Sequence, residues 1–409
     1  MPLPKETTTK ENILYRLNEL KKQDPDPRGG KMFSYVFYAN KEIEEVGKEA
    51  YNAFMQENGI APTTFTALKN MENEVVSIAS SLLNGDADVV GNLTSGGTES
   101  LLLVVKTARD FARTTKPEII KPEIIVPITV HSSLFKGGIY FDVKIIVVPV
   151  DSITFKVDIN AVRNAITANT IMLVGSTPNY SQGTIDDIES LGSIALENNL
   201  LLHVDACMGG IVLPIIKEIG YPVPPFDFKV KGVTSISVDL HKFAYTPKGC
   251  SVLLWKNKEL RKHQYFACNE WTGYALVNPT MTSTKPGGSI AAAWAVMNFL
   301  GMEGYKKLMG DTMIAVDKMI NGINEIEHLK VLGKPEATLI SFTSEKYNIH
   351  KICDELTELG WTVTPQLAID NVPASIHLTV TYGNIYQVDN FIEDLKKAEI
   401  GRASCRERV

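Results

Sequence analysis

The feature that most limits the possible folds is a series of short β-branched runs interleaved with helical stretches. EIIVPI, KIIVVPV, TIMLVGS, LLLHVDA, SISVD and SVLLW follow one another between residues 123 and 255. Segments with helical apolar spacing, VDINAVRNAIT and IESLGSIALENN among them, separate several of these runs. A strand apolar on both faces is covered on both faces. Strands alternating with helices therefore predict an α/β fold, a mostly parallel sheet with helices on either side.

The pattern changes toward both ends. NKEIEEVGKEAYNAFMQEN and ALKNMENEVVSIASSLL read as helices before the first strand, and PGGSIAAAWAVMNFLGMEGYKKLM reads as a long helix after the last. Beyond it, VLGKPEATLISFTS, NIHKICDELTELG, WTVTPQ and SIHLTVTY suggest a small α+β unit. The expected organisation is an N-terminal helical segment over 1–60, a large domain over 61–300 and a small C-terminal α+β domain over 301–399. The last ten residues, IGRASCRERV, match one reading frame of a widely used sequencing adapter and hold three of the nine arginines. Residues 400–409 are therefore expected to be foreign to the protein, with the natural C-terminus cut short.

Composition narrows the function classes. A net charge of -6 gives no electrostatic hold on nucleic acid or anionic membrane. The five cysteines are scattered without a CxxC pair, which argues against a disulfide framework or zinc site and for a reducing compartment. The polar N-terminus is no signal peptide, and no apolar run reaches the roughly 20 residues that span a bilayer. A cytoplasmic location is expected.

Three motifs carry chemistry. Ser95-Gly96-Gly97-Thr98-Glu99-Ser100 precedes an apolar helix. A glycine pair at a helix start lets backbone N–H groups and the helix dipole meet a phosphate, although a plain capped turn has the same letters. Asp205 ends the strand LLLHVDA, where open α/β sheets bind ligands; read alone it is a ligand, a base or a helix cap. His241 and Lys242 close the run SVDLHK, and a lysine after a buried strand either has a task or reaches solvent.

Together, in this order, they are the parts that pyridoxal phosphate (PLP) requires. They are a cradle for its phosphate, a carboxylate for its pyridinium nitrogen and a lysine for the Schiff base. His131, in VHSSLFKGG, falls where an aromatic lid over the ring would come.

With these residues in place, the chain resembles the group II PLP-dependent decarboxylase superfamily of fold type I and, within it, the sphingosine-1-phosphate lyases. The matching stretches are TSGGTES, STPNYSQGTID, LLHVDACMGG, FDFKVKGVTSISVDLHKFAYTPKG, PGGSIAAAWA and PASIHLTV. The resemblance implies that Lys242 carries the cofactor, Asp205 meets the pyridine nitrogen and His131 stacks on the ring. It implies that Gly97, Thr98 and His241 hold the phosphate and that Thr177 lies near the phenolic oxygen. Lys248 resembles a second lysine placed toward substrate or proton transfer. Tyr38 and the PGG loop at Gly288 resemble elements that reach a neighbouring subunit's site, implying a homodimer with shared active sites.

Two positions depart from the lyase pattern. Ala61 stands where the lyases carry a histidine, and Lys285 stands where they carry an arginine, keeping the charge without the planar fork.

The expected activity is retro-aldol cleavage of a phosphorylated amino alcohol to an aldehyde and phosphoethanolamine. The alternative is decarboxylation of an L-amino acid on the same scaffold. A PLP-binding regulatory protein is a weaker third reading, because Lys242, Asp205 and His131 are all present. No arginine lies between Arg261 and the last ten residues. That argues against a transaminase-type carboxylate clamp, and leaves Lys248 or Lys285 to meet a substrate anion.

Overall fold

The computed structural model describes residues 2–405, with side chains for 2–398. Side chains in the adapter-like segment, and the last four residues, lie outside the described residues. The backbone stays helical into that segment, since the final helix runs Val388–Cys405.

Three helices come first: α1 (Lys10–Lys21), α2 (Lys41–Ala53) and α3 (Thr66–Leu82). Asn40 caps α2 by accepting from the Ile43 N–H at 3.0 Å, one of the unpaired donors that every helix start presents. A regular alternation follows: β1 (Val90–Thr94), α4 (Gly97–Thr115), β2 (Glu123–Pro127), α5 (Ser133–Phe141), β3 (Lys144–Val148), α6 (Ile159–Ala165), β4 (Thr170–Ser176), α7 (Ile188–Glu197), β5 (Leu201–Asp205), α8 (Gly209–Glu218), β6 (Ser235–Val238), α9 (Leu240–Phe243) and β7 (Ser251–Trp255).

The seven strands form one sheet in the order β1-β7-β6-β5-β4-β2-β3. Only β7 runs against the rest, pairing antiparallel with both β1 and β6. The runs β2, β4, β5, β6 and β7 are buried along their whole length, as their lack of alternation requires. The edge strand β3 is partly exposed. Register aligns the strand ends that matter: Ser176 lies opposite Asp205, and Asp205 opposite Ser237. Close approach of α8 supports the same edge. A Cβ on Gly209 would stand 2.2 Å from the Thr177 carbonyl oxygen, so only glycine lets that helix start there.

The chain then passes through α10 (Lys258–Arg261) and a short hairpin, β8 (Phe266–Cys268) and β9 (Leu276–Asn278), into the long helix α11 (Gly287–Asn324). Gly301, with φ 55°, breaks α11 into two helical pieces. A second sheet, ordered β10-β11-β13-β12, is built from β10 (Leu329–Val331), β11 (Leu339–Ser344), β12 (Thr364–Gln366) and β13 (Ser375–Thr379), with α12 (Ile349–Glu358) and α13 (Val388–Cys405). Its core centres on Phe33, Trp361 and Phe391, whose rings meet at 5.0 to 5.9 Å. Phe33 comes from the N-terminal segment, so the first and last parts of the chain share this core. Each such fully buried aromatic contributes about 1.5–3 kcal/mol of burial free energy. Among the described residues no helix is long and apolar enough to cross a membrane.

Candidate active site

A cleft of about 640 Å³ opens at the C-terminal edge of the parallel strands. Its lining includes Gly97, Thr98, His131, Asp205, His241, Lys242 and Lys248. The three motifs, far apart in sequence, thus converge because each follows a strand of the same sheet.

The glycine turn sits between β1 and α4. Buried Glu99 accepts the Ser95 N–H at 2.6 Å and the Met281 N–H at 2.7 Å, fixing the turn to the loop beyond β9. A Cβ on Gly97 would lie 2.8 and 2.9 Å from the two carboxylate oxygens of Asp239. The Thr98 hydroxyl is 2.9 Å from that of Ser133 at the start of α5, which ties the turn to the His131 loop. His131 itself is exposed on the cleft, and its Nδ1 accepts from the Ser133 N–H at 3.2 Å.

Asp205 Oδ1 accepts the Cys207 N–H at 3.1 Å and lies 3.5 Å from Ser237 Oγ. Behind it His203 is fully buried between Ser235, at 2.9 Å, and Ser237, at 3.2 Å. Burial pushes this imidazole down to about 4, so it is neutral and serves as a hydrogen-bonding strut.

Lys242 lies 3.0 Å from Asp239. Burial alone would lower its ammonium, but Asp239, the strongest of the groups that favour the charged form, together with Cys207 and Asp205 raises it above the ordinary lysine range. Burial would likewise raise the Asp239 carboxyl, and Lys242, His241 and Ser251 together hold it low. His241 Nδ1 donates to the Cys250 carbonyl at 2.8 Å, and burial lowers its ring despite Asp239. Lys248 crosses Phe37 with its Nζ 4.6 Å from the ring centre. The surrounding protein and the like charge of Lys242 push its ammonium down to about 8.

Two buried hydroxyls at this edge, on Thr177 and Thr129, have no hydrogen-bond partner. An unpaired buried hydroxyl is costly; Thr129 lines the cleft, and Thr177 lies in the chain between Ser176 and Pro178, which also line it. The residues present therefore fit PLP: a glycine turn at a helix start, two spare hydroxyls, a strand-end carboxylate and an amine.

Three expected residues, Thr177, Tyr38 and Gly288, do not line this cleft in the single chain. Tyr38 lines a smaller neighbouring cavity of about 290 Å³ with Lys48 and Arg28. Gly288 lies at the start of α11, where a Cβ would stand 2.8 Å from the Tyr51 carbonyl oxygen. Lys285 is ion-paired with Glu72 and lines a separate pocket of about 30 Å³. Sequence reasoning passed over Asp239 and Glu99, because a carboxylate in a turn or first helical turn reads as a cap. The signal in Asp239 was its place three residues before Lys242, one helical turn away.

Residues 31–345 match the pyridoxal-dependent decarboxylase conserved domain. The chain is 42% identical over 392 residues to the sphingosine-1-phosphate lyase of Oryza sativa subsp. japonica, covering 94% of this chain and 71% of that protein. It is 30% identical over 397 residues to the L-aspartate/L-glutamate decarboxylase of Pyrococcus horikoshii, covering 97% of this chain and 99% of that protein. The sphingosine-1-phosphate lyase structure from Burkholderia pseudomallei superposes with a TM-score of 0.94 at 35% identity, covering 100% of this chain and 94% of that one. With this match and this cleft together, the chain belongs to the pyridoxal-dependent decarboxylase family.

Proposed function

We propose that the chain is a PLP-dependent carbon–carbon lyase that cleaves a phosphorylated long-chain amino alcohol, giving an aldehyde and phosphoethanolamine. When bound, the cofactor supplies an electron sink for the bond that breaks. The chain's own residues do the rest. Lys242 holds the cofactor covalently, and Asp205 keeps the pyridine nitrogen protonated. His131 covers one face of the ring. Gly97, Thr98 and His241 hold the phosphate, and the spare hydroxyl of Thr177 meets the phenolic oxygen.

The observation that carries the lyase reading is Lys248. It shares the cleft with Lys242, and an ammonium lowered to about 8 is partly neutral near physiological pH. Its Nζ is suited to take the proton from the substrate hydroxyl next to the breaking bond. Tyr38 and Gly288 complete the site from the partner in a homodimer, and the protein works in the cytoplasm.

A second reading, L-amino-acid decarboxylation, is favoured by one observation. Lys285 is held by Glu72 on its own chain, so it is not a free clamp for a substrate phosphate. Product analysis by mass spectrometry separates the two. Incubation with a phosphorylated long-chain base should yield phosphoethanolamine and a fatty aldehyde. Carbon dioxide and an amine from L-aspartate or L-glutamate, with no phosphoethanolamine, would establish the decarboxylase instead.

A further inference from the structure

Asp239 plays no part in the reading above, yet it is the residue that Lys242 touches. It is 3% exposed, at the end of β6. One oxygen is 3.0 Å from Lys242 Nζ, and the other accepts from the Ser251 hydroxyl on β7. His241 Nε2 lies 3.9 Å away, and the first residue of α4 presses on the carboxylate from above, as the Gly97 distances show. The group is therefore held from three elements and has no room to turn away.

Several other titratable groups face Lys242. Asp205 and Cys207 come from the end of β5, Tyr180 from the loop after β4, and His241 and Lys248 from α9 and the loop that follows it. The Asp205 carboxylate is taken up by the Cys207 N–H, and burial pushes the Cys207 thiol well up, so it stays neutral. Among the described residues only Asp239 is within ion-pair distance of Lys242.

A buried carboxylate is retained where a cation balances it, and removing that balance is costly. Here the balancing cation is the one lysine that must alternate between bonded and free. The exchange conserves protons. Substrate arrives as an ammonium ion, its nitrogen bonds to the cofactor carbon, and the bond from that carbon to Lys242 Nζ breaks. The substrate nitrogen would give up two protons and Lys242 Nζ would take up two, so the lysine would leave as an ammonium ion.

We propose that Asp239 is the positioning residue for Lys242, docking the released ε-ammonium and fixing both its location and its protonation. This rests on Lys242 being the cofactor lysine. While Lys242 is bonded, Ser251 and His241 keep the carboxylate in place. Once it is free, Asp239 keeps it charged and directed at the cleft floor, unable to re-attack until it loses a proton.

The test uses the full chain without cofactor. Competitive labelling with acetic anhydride across pH 7–11, read at the Lys242 peptide by mass spectrometry, reports when that amine is neutral. The wild-type midpoint should lie above the ordinary lysine range. In Asp239→Asn it should fall by at least about one pH unit, with labelling at pH 9 about tenfold faster. Asp239→Glu should restore most of the wild-type profile. Capture of added PLP at pH 8, trapped on Lys242 with borohydride, should speed up in the Asn variant in the same proportion. If Asp239→Asn does not fold, as judged by circular dichroism, Ser251→Ala loosens the same carboxylate without removing it and should move the midpoint down by a smaller amount. Identical midpoints in wild type and whichever variant folds would overturn the proposal. If PLP attaches to a residue other than Lys242 in the wild type, the functional reading fails, while the labelling profile still reports on the ion pair.

Discussion

The floor of the cleft and its rim are built in different ways. The floor comes from strand ends: Asp205 after β5, Asp239 after β6, and Thr177 after β4, aligned by the register of one buried sheet. The Thr177 and Thr129 hydroxyls there are buried without a hydrogen-bond partner, whereas Asp205 accepts the Cys207 N–H and Asp239 is ion-paired with Lys242. The rim comes from loops and from the segment before the sheet. Tyr38 and Gly288 do not line the cleft of their own chain, and Lys285 is engaged with Glu72. A floor set by backbone pairing is complete in one copy, whereas the proposed homodimer would bring rim residues such as Tyr38 and Gly288 to a second copy's cleft. Chemistry shared across a family belongs on the floor, and substrate choice belongs on the rim.

The largest effect should come from the floor. Lys242→Ala should lower turnover by about 10³-fold or more and abolish covalent retention of PLP after gel filtration and borohydride treatment. Because the cradle and Asp205 remain, the variant should still bind PLP reversibly, measured by dialysis. A variant that bound none would mean that floor and lysine are not separable.

Lys248 lies where floor meets rim, and its effect should be next. As a base it works only when neutral, so kcat should rise with pH through about 8 and then level off. Lys248→Met should lower kcat by about 10²-fold and remove that rise. If the variant keeps the rise, another group supplies it, and Lys248 belongs with the substrate-binding rim.

The same contrast explains what could be read from the sequence. The strands β2 to β7 were legible as short apolar, β-branched runs, all buried along their length except the edge strand β3. β1 was not, because Val90-Gly91-Asn92-Leu93-Thr94 carries too little apolar signal. Its strand form is imposed by antiparallel pairing with β7, a tertiary effect. Lys242 and Asp205 were legible because they end or follow such runs, and the Gly97 turn because a glycine pair opens an apolar helix. Asp239 was hidden because its partner, its burial and its contact with Gly97 all arise only when three elements meet. For the rim, the sequence offered resemblance alone: neither Tyr38 nor Gly288 stands at the end of a buried strand.

Rim residues that serve a partner should complement floor residues across subunits. Tyr38→Phe should lower kcat by about tenfold. Mixing it with inactive Lys242→Ala, after mild dissociation and reassociation, should give dimers in which one of the two sites has both residues intact. Activity well above that of either parent, read by aldehyde release, supports a shared site. If no activity returns although sedimentation shows mixed dimers, Tyr38 acts within its own chain and the smaller cavity is where to look.

The smallest effect, and the one that bears most on substrate, concerns Ala61. Its loop is clipped to the Lys285 segment: Asn58 Oδ1 accepts the Lys285 N–H at 3.0 Å, and the Gly59 N–H donates to the Lys285 carbonyl at 2.8 Å. The two departures from the lyase pattern thus lie on one joined piece of rim. Ala61→His adds a donor to that piece without touching the floor. If it faces a substrate phosphate, a hydrogen bond to a charged group should raise kcat/KM for a phosphorylated long-chain base by about tenfold. The rate with L-aspartate or L-glutamate should stay where it was. A gain confined to the phosphorylated substrate would place substrate choice on this rim. Equal rates with both substrates before and after would remove the loop from the site, leaving Lys248 as the cation nearest the substrate anion.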